Sequence, residues 1–320
     1  SMGTTNKELI NRADIALGDL TANGGMLSPE QTDTFLDIML DQPTILKQAR
    51  QVRMTAPERR INKIQFADRI LRAARQAGGE LDAGGNDRYV READRAKPTT
   101  SQIILNTQEV IAEVRLPYEV LEDNIEGQAF EAHIMRLIAE RAAVDLEELA
   151  LGGDTALAGS DPYLGLMDGW MKRIVSHVVN NLGAGCNPTM FKNGLLALPQ
   201  KYHRNLAMLK HFVTVANTIR YRDLVAARST GYGDSMLTGT QPIHAQGVVV
   251  EAAPMLAGID TGKQGLLTFP QNLLFGIQRD IRVETDKDIR SREYIIVLTA
   301  RVAVQIEDED ASVKYTNVNP

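Results

Sequence analysis

Hydrophobic positions recur along this chain with two periods, one of two residues and one of about four. In "FPQNLLFGIQRDIRVETD", Ile277, Ile281 and Val283 fall on one side of an extended chain, and Gln278, Asp280, Arg282 and Glu284 fall on the other. That alternation predicts one strand with a solvated face. Further on, Ile296, Leu298, Ala300, Val302, Val304 and Ile306 share one side of a long strand, and Val110, Ala112, Val114 and Leu116 alternate with Glu109, Glu113 and Arg115 in another. The longer period appears at Phe130, Ile134, Ile138, Ala142 and Leu146, with Leu137 and Leu149 beside them. It predicts a helix from about Ile125 to Leu151, stopped by Gly152-Gly153. At 1.5 Å per residue that helix spans roughly 40 Å, long for a globular protein.

Turn and cap signals divide the rest. Asn23-Gly24-Gly25 marks residues 1–27 as a flexible arm. Ser28 and Pro29 then open a helix with Phe35, Leu36, Met39 and Leu40 on one side, broken near Pro43. "LPYEVLEDN" reads as a short helix opened by Pro117. After Pro162, helix and strand alternate: a helix over "NPTMFKNGLLALPQKYHR" capped by Asn187, a buried strand over "KHFVTVAN", a helix over "TIRYRDLVAAR" and a strand over "GVVVEAAPML". The loop "STGYGDSMLTGTQ" lies between the last two. The class is α+β, in two globular parts.

One window departs from this pattern. Between Thr55 and Thr100 stand ten basic residues (Arg59, Arg60, Lys63, Arg69, Arg72, Arg75, Arg88, Arg91, Arg95, Lys97) and seven acids (Glu58, Asp68, Glu80, Asp82, Asp87, Glu92, Asp94), net +3 in a chain of net −6. Its middle, "QAGGELDAGGNDRYVREAD", has few apolar residues, whereas its flanks "INKIQFADRIL" and "SQIILNTQEVIAEVRL" can form strands. The window predicts a long β-hairpin whose tip cannot pack on its own domain and needs support from outside the subunit. By contrast, Glu119 to Glu148 holds nine acids against Arg136 and Arg141. A basic hairpin and an acidic helix on one chain suit contact between neighbouring copies, although solvated charge would look the same in sequence.

The composition, 43% hydrophobic, 24% charged and 5% aromatic, is that of an ordinary soluble globular protein. The net charge of −6 argues against a protein that wraps duplex DNA with its whole surface. A single cysteine, Cys186, excludes an internal disulfide framework, and no apolar run long enough for a membrane span or an export signal is present.

Candidate chemistry is sparse. His133, His177, His203, His211 and His244 have no metal-ligand spacing. Cys186 precedes a helix N-terminus, which can lower a thiol pKa, but nothing pairs it with a histidine and an orienting acid. The glycines of "GYGDSMLTG" lack the lysine and the strand-to-helix order of a phosphate cradle. Trp170 and the tyrosines do not interleave with a basic patch. No catalytic, cofactor-binding or metal residue is expected.

The order of parts resembles the major capsid proteins of tailed bacteriophages, the HK-97-like fold family, from about Ser28 to Val318. The resemblance rests on "FLDIMLDQPTILKQARQVRM" leading into the hairpin, "EVRLPYEVLEDN" before the helix ending "LALGGD", the turn "DPYLGLMDG", and "LLTFPQNLLFGIQRDIRVETDKDIRSREYIIVLTARVAVQIEDEDASV". It implies an extended loop at 55–105, a spine helix, a discontinuous peripheral domain of 28–54, 106–166 and 273–307, and an axial domain of 167–272 and 308–320. Gly231, Gly233 and Gly239 would lie in the loop facing the symmetry axes. The implied function is self-assembly through pentamers and hexamers into an icosahedral shell around double-stranded DNA, without sequence-specific contact. Partners would be a separate scaffolding protein and a portal, with no membrane, and assembly would take place in the host cytoplasm before the protein resides in the virion capsid.

Within that frame, Arg72, Arg75, Arg88 and Arg91 are expected over Glu119, Glu122, Glu126 and Glu131 of an adjacent copy. The founding family member welds its shell with a Lys to Asn isopeptide bond, but here Gln76 to Glu92 contains no lysine, so no autocatalytic cross-linking is expected. Fewer than 30 residues precede the first expected helix, too few for a fused scaffolding segment. The rivals are an encapsulin-type nanocompartment shell of the same fold and, in another class, a soluble enzyme with a hairpin lid over a site near Cys186 or His203.

Overall fold

Extended segments dominate the structure, a computed structural model that describes residues 44–66, 70–71, 96–118, 128–227, 242–278 and 282–319. In chain order these are β1 (Arg50–Met54), β2 (Glu58–Gln65), β3 (Thr99–Asn106), β4 (Gln108–Pro117), α1 (Gln128–Gly152), α2 (Trp170–Arg173), β5 (Val178–Asn180), α3 (Pro188–Ala197), β6 (Lys210–Val213), α4 (Val215–Ala226), β7 (Ile243–Ala245), β8 (Val248–Ala252), β9 (Gly265–Thr268), β10 (Leu273–Gln278), β11 (Arg282–Asp288), β12 (Glu293–Ile306) and β13 (Ser312–Thr316). The chain divides into two compact units, a body of residues 1–57 and 106–320 and a hairpin unit of residues 58–105.

The body is built on β12. Its Ile296, Leu298, Ala300, Val302, Val304 and Ile306 are all buried, as their shared side predicts. β4 pairs antiparallel along one edge of β12, and β10 and β11 follow each other along the opposite edge. The expected single strand across Ile277 to Glu284 is therefore two. Ile277 faces Val302 and Arg282 faces Thr299, so the chain advances five residues where its partner advances three. Its expected wet face also fails at Gln278, which is buried, because every residue of β10 lies inside the sheet. β1 adds a parallel edge beside β10.

A second sheet runs in the order β5-β13-β9-β6-β8-β7. One core holds α1, the first sheet and one face of the second, where Phe212, Ala253, Leu256 and Leu266 join Phe275, Val302 and Ile306. A separate core, with Phe191, Tyr221, Val250 and Tyr315, covers the other face beneath α3 and α4. Gly194 lets α3 approach β13, since a Cβ there would overlap the Tyr315 hydroxyl.

Helix α1 buries Met135, Ala139, Ala143, Leu146, Leu149 and Ala150, so Leu146 and Leu149 are inside as predicted, while Ile134, Ile138 and Ala142 are only partly buried and the inner stripe there sits one residue beyond them. Small alanines allow the close approach that larger residues at that line would prevent. Three other boundaries differ. Pro117 ends β4 opposite Glu293 and the expected short helix begins one residue later, at Tyr118, with Glu119 onward outside the described residues. Thr214 accepts a hydrogen bond from the Asn217 amide and so caps α4, ending the strand expected to run on through "TVAN". Pro199 separates α3 from a 3-10 segment at Gln200–Met208, because proline cannot extend the helix hydrogen bonding.

Candidate interaction surfaces

Within the hairpin unit, β2 and β3 form their own two-stranded sheet, stitched by Gln102 Nε2 donating to Asn62 Oδ1 at 3.1 Å. Most of their residues are exposed, and Arg60 pairs at 2.6 Å with Glu58 in solvent. Ile64, Phe66, Ile70 and Ile104 are exposed, and Leu71 is 84% exposed. A two-stranded ribbon is marginal in water by itself, and a run of uncovered large apolar side chains on one points to a partner surface.

The body carries a second such surface on the outer side of its first sheet. While Val110, Ala112, Val114 and Leu116 face the core, Glu109, Ile111, Glu113 and Arg115 of β4 face out. Ile295 and Val297 of β12 form a half-buried apolar strip between β4 and β11, with Glu113 and Glu284 opposite Val297 and Arg115 and Asp286 opposite Ile295. Arg115 is held by Glu113 at 2.7 Å and Glu293 at 3.7 Å, and Arg301 by Glu109 at 3.4 Å. These exposed pairs contribute at most about 1 kcal/mol each.

A strap at residues 44–49 leads into β1 of the body. Glu147 of α1 is buried, and its carboxylate accepts the Ile45 amide at 2.8 Å and the Thr44 amide at 3.2 Å. Burial pushes its pKa up, and the strap amides oppose that shift. Sequence reasoning counted Glu147 among the solvated acids, and a carboxylate satisfied by backbone amides leaves no spacing signal by which to find it.

The groups examined for chemistry are structural. Cys186 is buried, and desolvation pushes its thiol up to about 12, overriding its place before α3. His211 is buried with Nδ1 3.0 Å from the Tyr315 hydroxyl, and desolvation lowers its pKa to about 3. His203 Nε2 bonds the Leu195 carbonyl at 2.8 Å. Trp170 is a core residue whose indole donates to the carbonyls of Gln305 and Leu274. Among the described residues no cluster of His, Cys, Asp or Glu could hold a metal ion.

Of the contact residues expected from sequence, Arg72, Arg75, Arg88, Arg91, Glu119, Glu122 and Glu126 lie outside the described residues, as do Gly231, Gly233 and Gly239 of the expected axial loop. Glu131 lies within α1, with its side chain outside the described set. The N-terminal arm and the helix expected after Ser28 also lie outside.

No family model matches the chain. Among curated proteins, YqbE of Bacillus subtilis (strain 168), which is named as a prophage capsid protein, is 39% identical over 321 residues, covering 98% of this chain and 99% of its own. Among solved structures, a chain of the satellite phage P4 procapsid matches with a TM-score of 0.63 at 14% identity over 99% of this chain and 98% of its own. The capsid of an empty GTA particle gives 0.59 at 14% identity over 87% and 90%, and the SrpI encapsulin of Synechococcus elongatus PCC 7942 gives 0.51 at 12% over 84% of each.

Proposed function

Because the chain belongs to the family of phage and prophage major capsid proteins with the HK-97-like fold, we propose that it assembles through pentamers and hexamers into the icosahedral shell enclosing the double-stranded DNA of a tailed phage or prophage. It is a structural protein of the virion capsid, not an enzyme. In this reading a separate scaffolding protein and a portal take part, the enclosed DNA is held without sequence-specific contact, and assembly occurs in the host cytoplasm. Residues 28–54, 106–166 and 273–307 act as the peripheral domain, 167–272 and 308–320 as the axial domain, and 55–105 as the extended loop.

The observation that carries the assembly reading is the hairpin, whose Ile64, Phe66, Ile70, Leu71 and Ile104 are exposed on a unit whose described residues include one buried apolar side chain, Leu105. Burying such side chains against a neighbour would contribute roughly 1.5–3 kcal/mol each by transfer. The hairpin arginines Arg72, Arg75, Arg88 and Arg91 would add pairs to Glu119, Glu122, Glu126 and Glu131 of that neighbour. Reversing two charges, Arg75→Glu with Arg88→Glu, is expected to lower shell yield and salt resistance, and unchanged shells would remove this pairing. A ladder of covalent multimers on a denaturing gel would overturn the expectation of an uncross-linked shell. The encapsulin reading keeps the same fold, and its test is whether the purified shells hold a cargo protein in place of DNA.

A further inference from the structure

The two sheets of the body are joined in a way that divides labour between a pivot and a tether. The chain crosses from the second sheet to the first between β9 and β10, and returns between β12 and β13. Both crossings are tied together by Asn272, only 7% exposed, whose Nδ2 donates to the Asp308 carbonyl at 2.7 Å and to Ser312 Oγ at 3.0 Å. In return, Asn272 Oδ1 accepts the Asp308 amide at 2.8 Å and its carbonyl accepts the Glu307 amide at 2.9 Å. Four directed bonds at one point make a pivot.

Away from it, Gln48 of the strap meets two charged residues of the second sheet. Lys210 Nζ donates to Gln48 Oε1 at 2.6 Å and to Glu251 Oε2 at 2.8 Å, while Gln48 Nε2 donates to Glu251 Oε1 at 2.5 Å. Gln271 Nε2 also donates to the Gln48 carbonyl at 2.9 Å. Two residues later the strap becomes β1, paired to β10 from Arg50 opposite Leu274. The closed triangle of Gln48, Lys210 and Glu251 thus connects the second sheet to the edge of the first. The apolar core between the sheets is non-directional and resists separation more than rotation, whereas hydrogen bonds with fixed geometry resist rotation.

We propose that Gln48, Lys210 and Glu251 form a stay that sets the angle between the two sheets about the Asn272 pivot, and through it the curvature of the shell. The second step rests on the shell-forming reading above. In a closed assembly of one chain, contacts made by different parts of a subunit meet neighbours at angles fixed by how those parts are held together. The three residues are positioning residues for assembly, removable at modest cost because Lys210 and Glu251 keep 31% and 27% of their side chains exposed.

The test measures the inter-sheet distance in the full chain, with spin labels at Asp286→Cys on β11 and Arg204→Cys beside β6, both exposed positions, while native Cys186 is buried and takes no label. Lys210→Met and Glu251→Gln are each expected to broaden the distance distribution and add a second population, and Lys210→Arg to restore a single narrow one. Negative-stain images of the same unlabelled variants should show shells of more varied diameter than wild type. Distance distributions that superimpose on wild type would overturn the stay. Altered distances with unaltered shell diameters would overturn its role in curvature, and altered distances with no shells from wild type either, even with a scaffolding protein co-expressed, would count against the shell reading while leaving the stay intact.

Discussion

The hairpin strands and β10 are built from similar residues and meet opposite fates. Both carry isoleucine in short extended runs, yet all six residues of β10 are buried, while Ile64 and Ile104 of the hairpin are exposed. β10 lies between β1 and β12, with α1 and the second sheet contributing to the same core. Among the described residues the hairpin strands pair with each other in a sheet of two. Apolar content therefore sets the need for burial, and topology decides whether the subunit itself meets it. Where it does not, the unmet need marks the surface proposed above for assembly.

Substitutions in the body should damage the subunit, and those in the hairpin should damage only the assembly. The largest effect is expected from Trp170→Ala, which empties a fully buried site and leaves the Gln305 and Leu274 carbonyls short of a donor. It should cost about 3–5 kcal/mol in chemical denaturation of the isolated subunit. Glu147→Ala removes the acceptor for the Thr44 and Ile45 amides and should cost about 1–3 kcal/mol, with faster hydrogen exchange at those two amides as its local signature.

An effect that reaches a comparable size only near pH 3 is expected from acid. Desolvation lowers the folded pKa of His211 to about 3 from the ordinary value of 6.5, so the folded state binds fewer protons than the unfolded state between those values. Its stabilising contribution is present above about pH 6.5 and is lost progressively as pH falls towards 3, with a slope of at most about 1.4 kcal/mol per pH unit. His211→Gln should flatten that part of the stability profile measured by thermal melts, and an unchanged profile would assign the acid sensitivity to other groups. The smallest effect on the subunit should come from Ile64→Ser with Leu71→Ser, within about 0.5 kcal/mol of wild type as for other exposed sites. The same pair should sharply reduce shell yield. A loss of subunit stability like that of a core substitution would erase the distinction between hairpin and body.

Regular burial was legible in the chain. All six predicted inward residues of β12 are inside, and the long helix, expected over 125–151, is found at Gln128–Gly152. Its Leu146 and Leu149 are inside as predicted, but between Ile134 and Ala142 the inner stripe was misread by one residue because hydrophobicity ranks isoleucine above alanine, whereas close helix packing at Ala139 and Ala143 selects small size. Alternation alone joined β10 to β11, since the two extra residues between them keep the period of two intact. The Thr214 cap and the Pro199 break did carry local signals, a hydroxyl three residues before Asn217 and a ring that cannot continue a helix. Glu147 and the triangle of Gln48, Lys210 and Glu251 had none, because their partners lie more than 40 residues away along the chain. The hairpin was legible as a two-stranded extension, and the residues that hold the body to its shape were not.

The central claim is that this subunit meets its unfilled apolar demand by joining copies of itself. Size-exclusion chromatography with negative-stain microscopy, from low to high salt and with a scaffolding protein and portal co-expressed, tests it most directly. The account predicts closed shells or rings of five or six subunits for the wild type, lost in the Ile64→Ser and Leu71→Ser pair. A single small species for the wild type at every salt and concentration would contradict it.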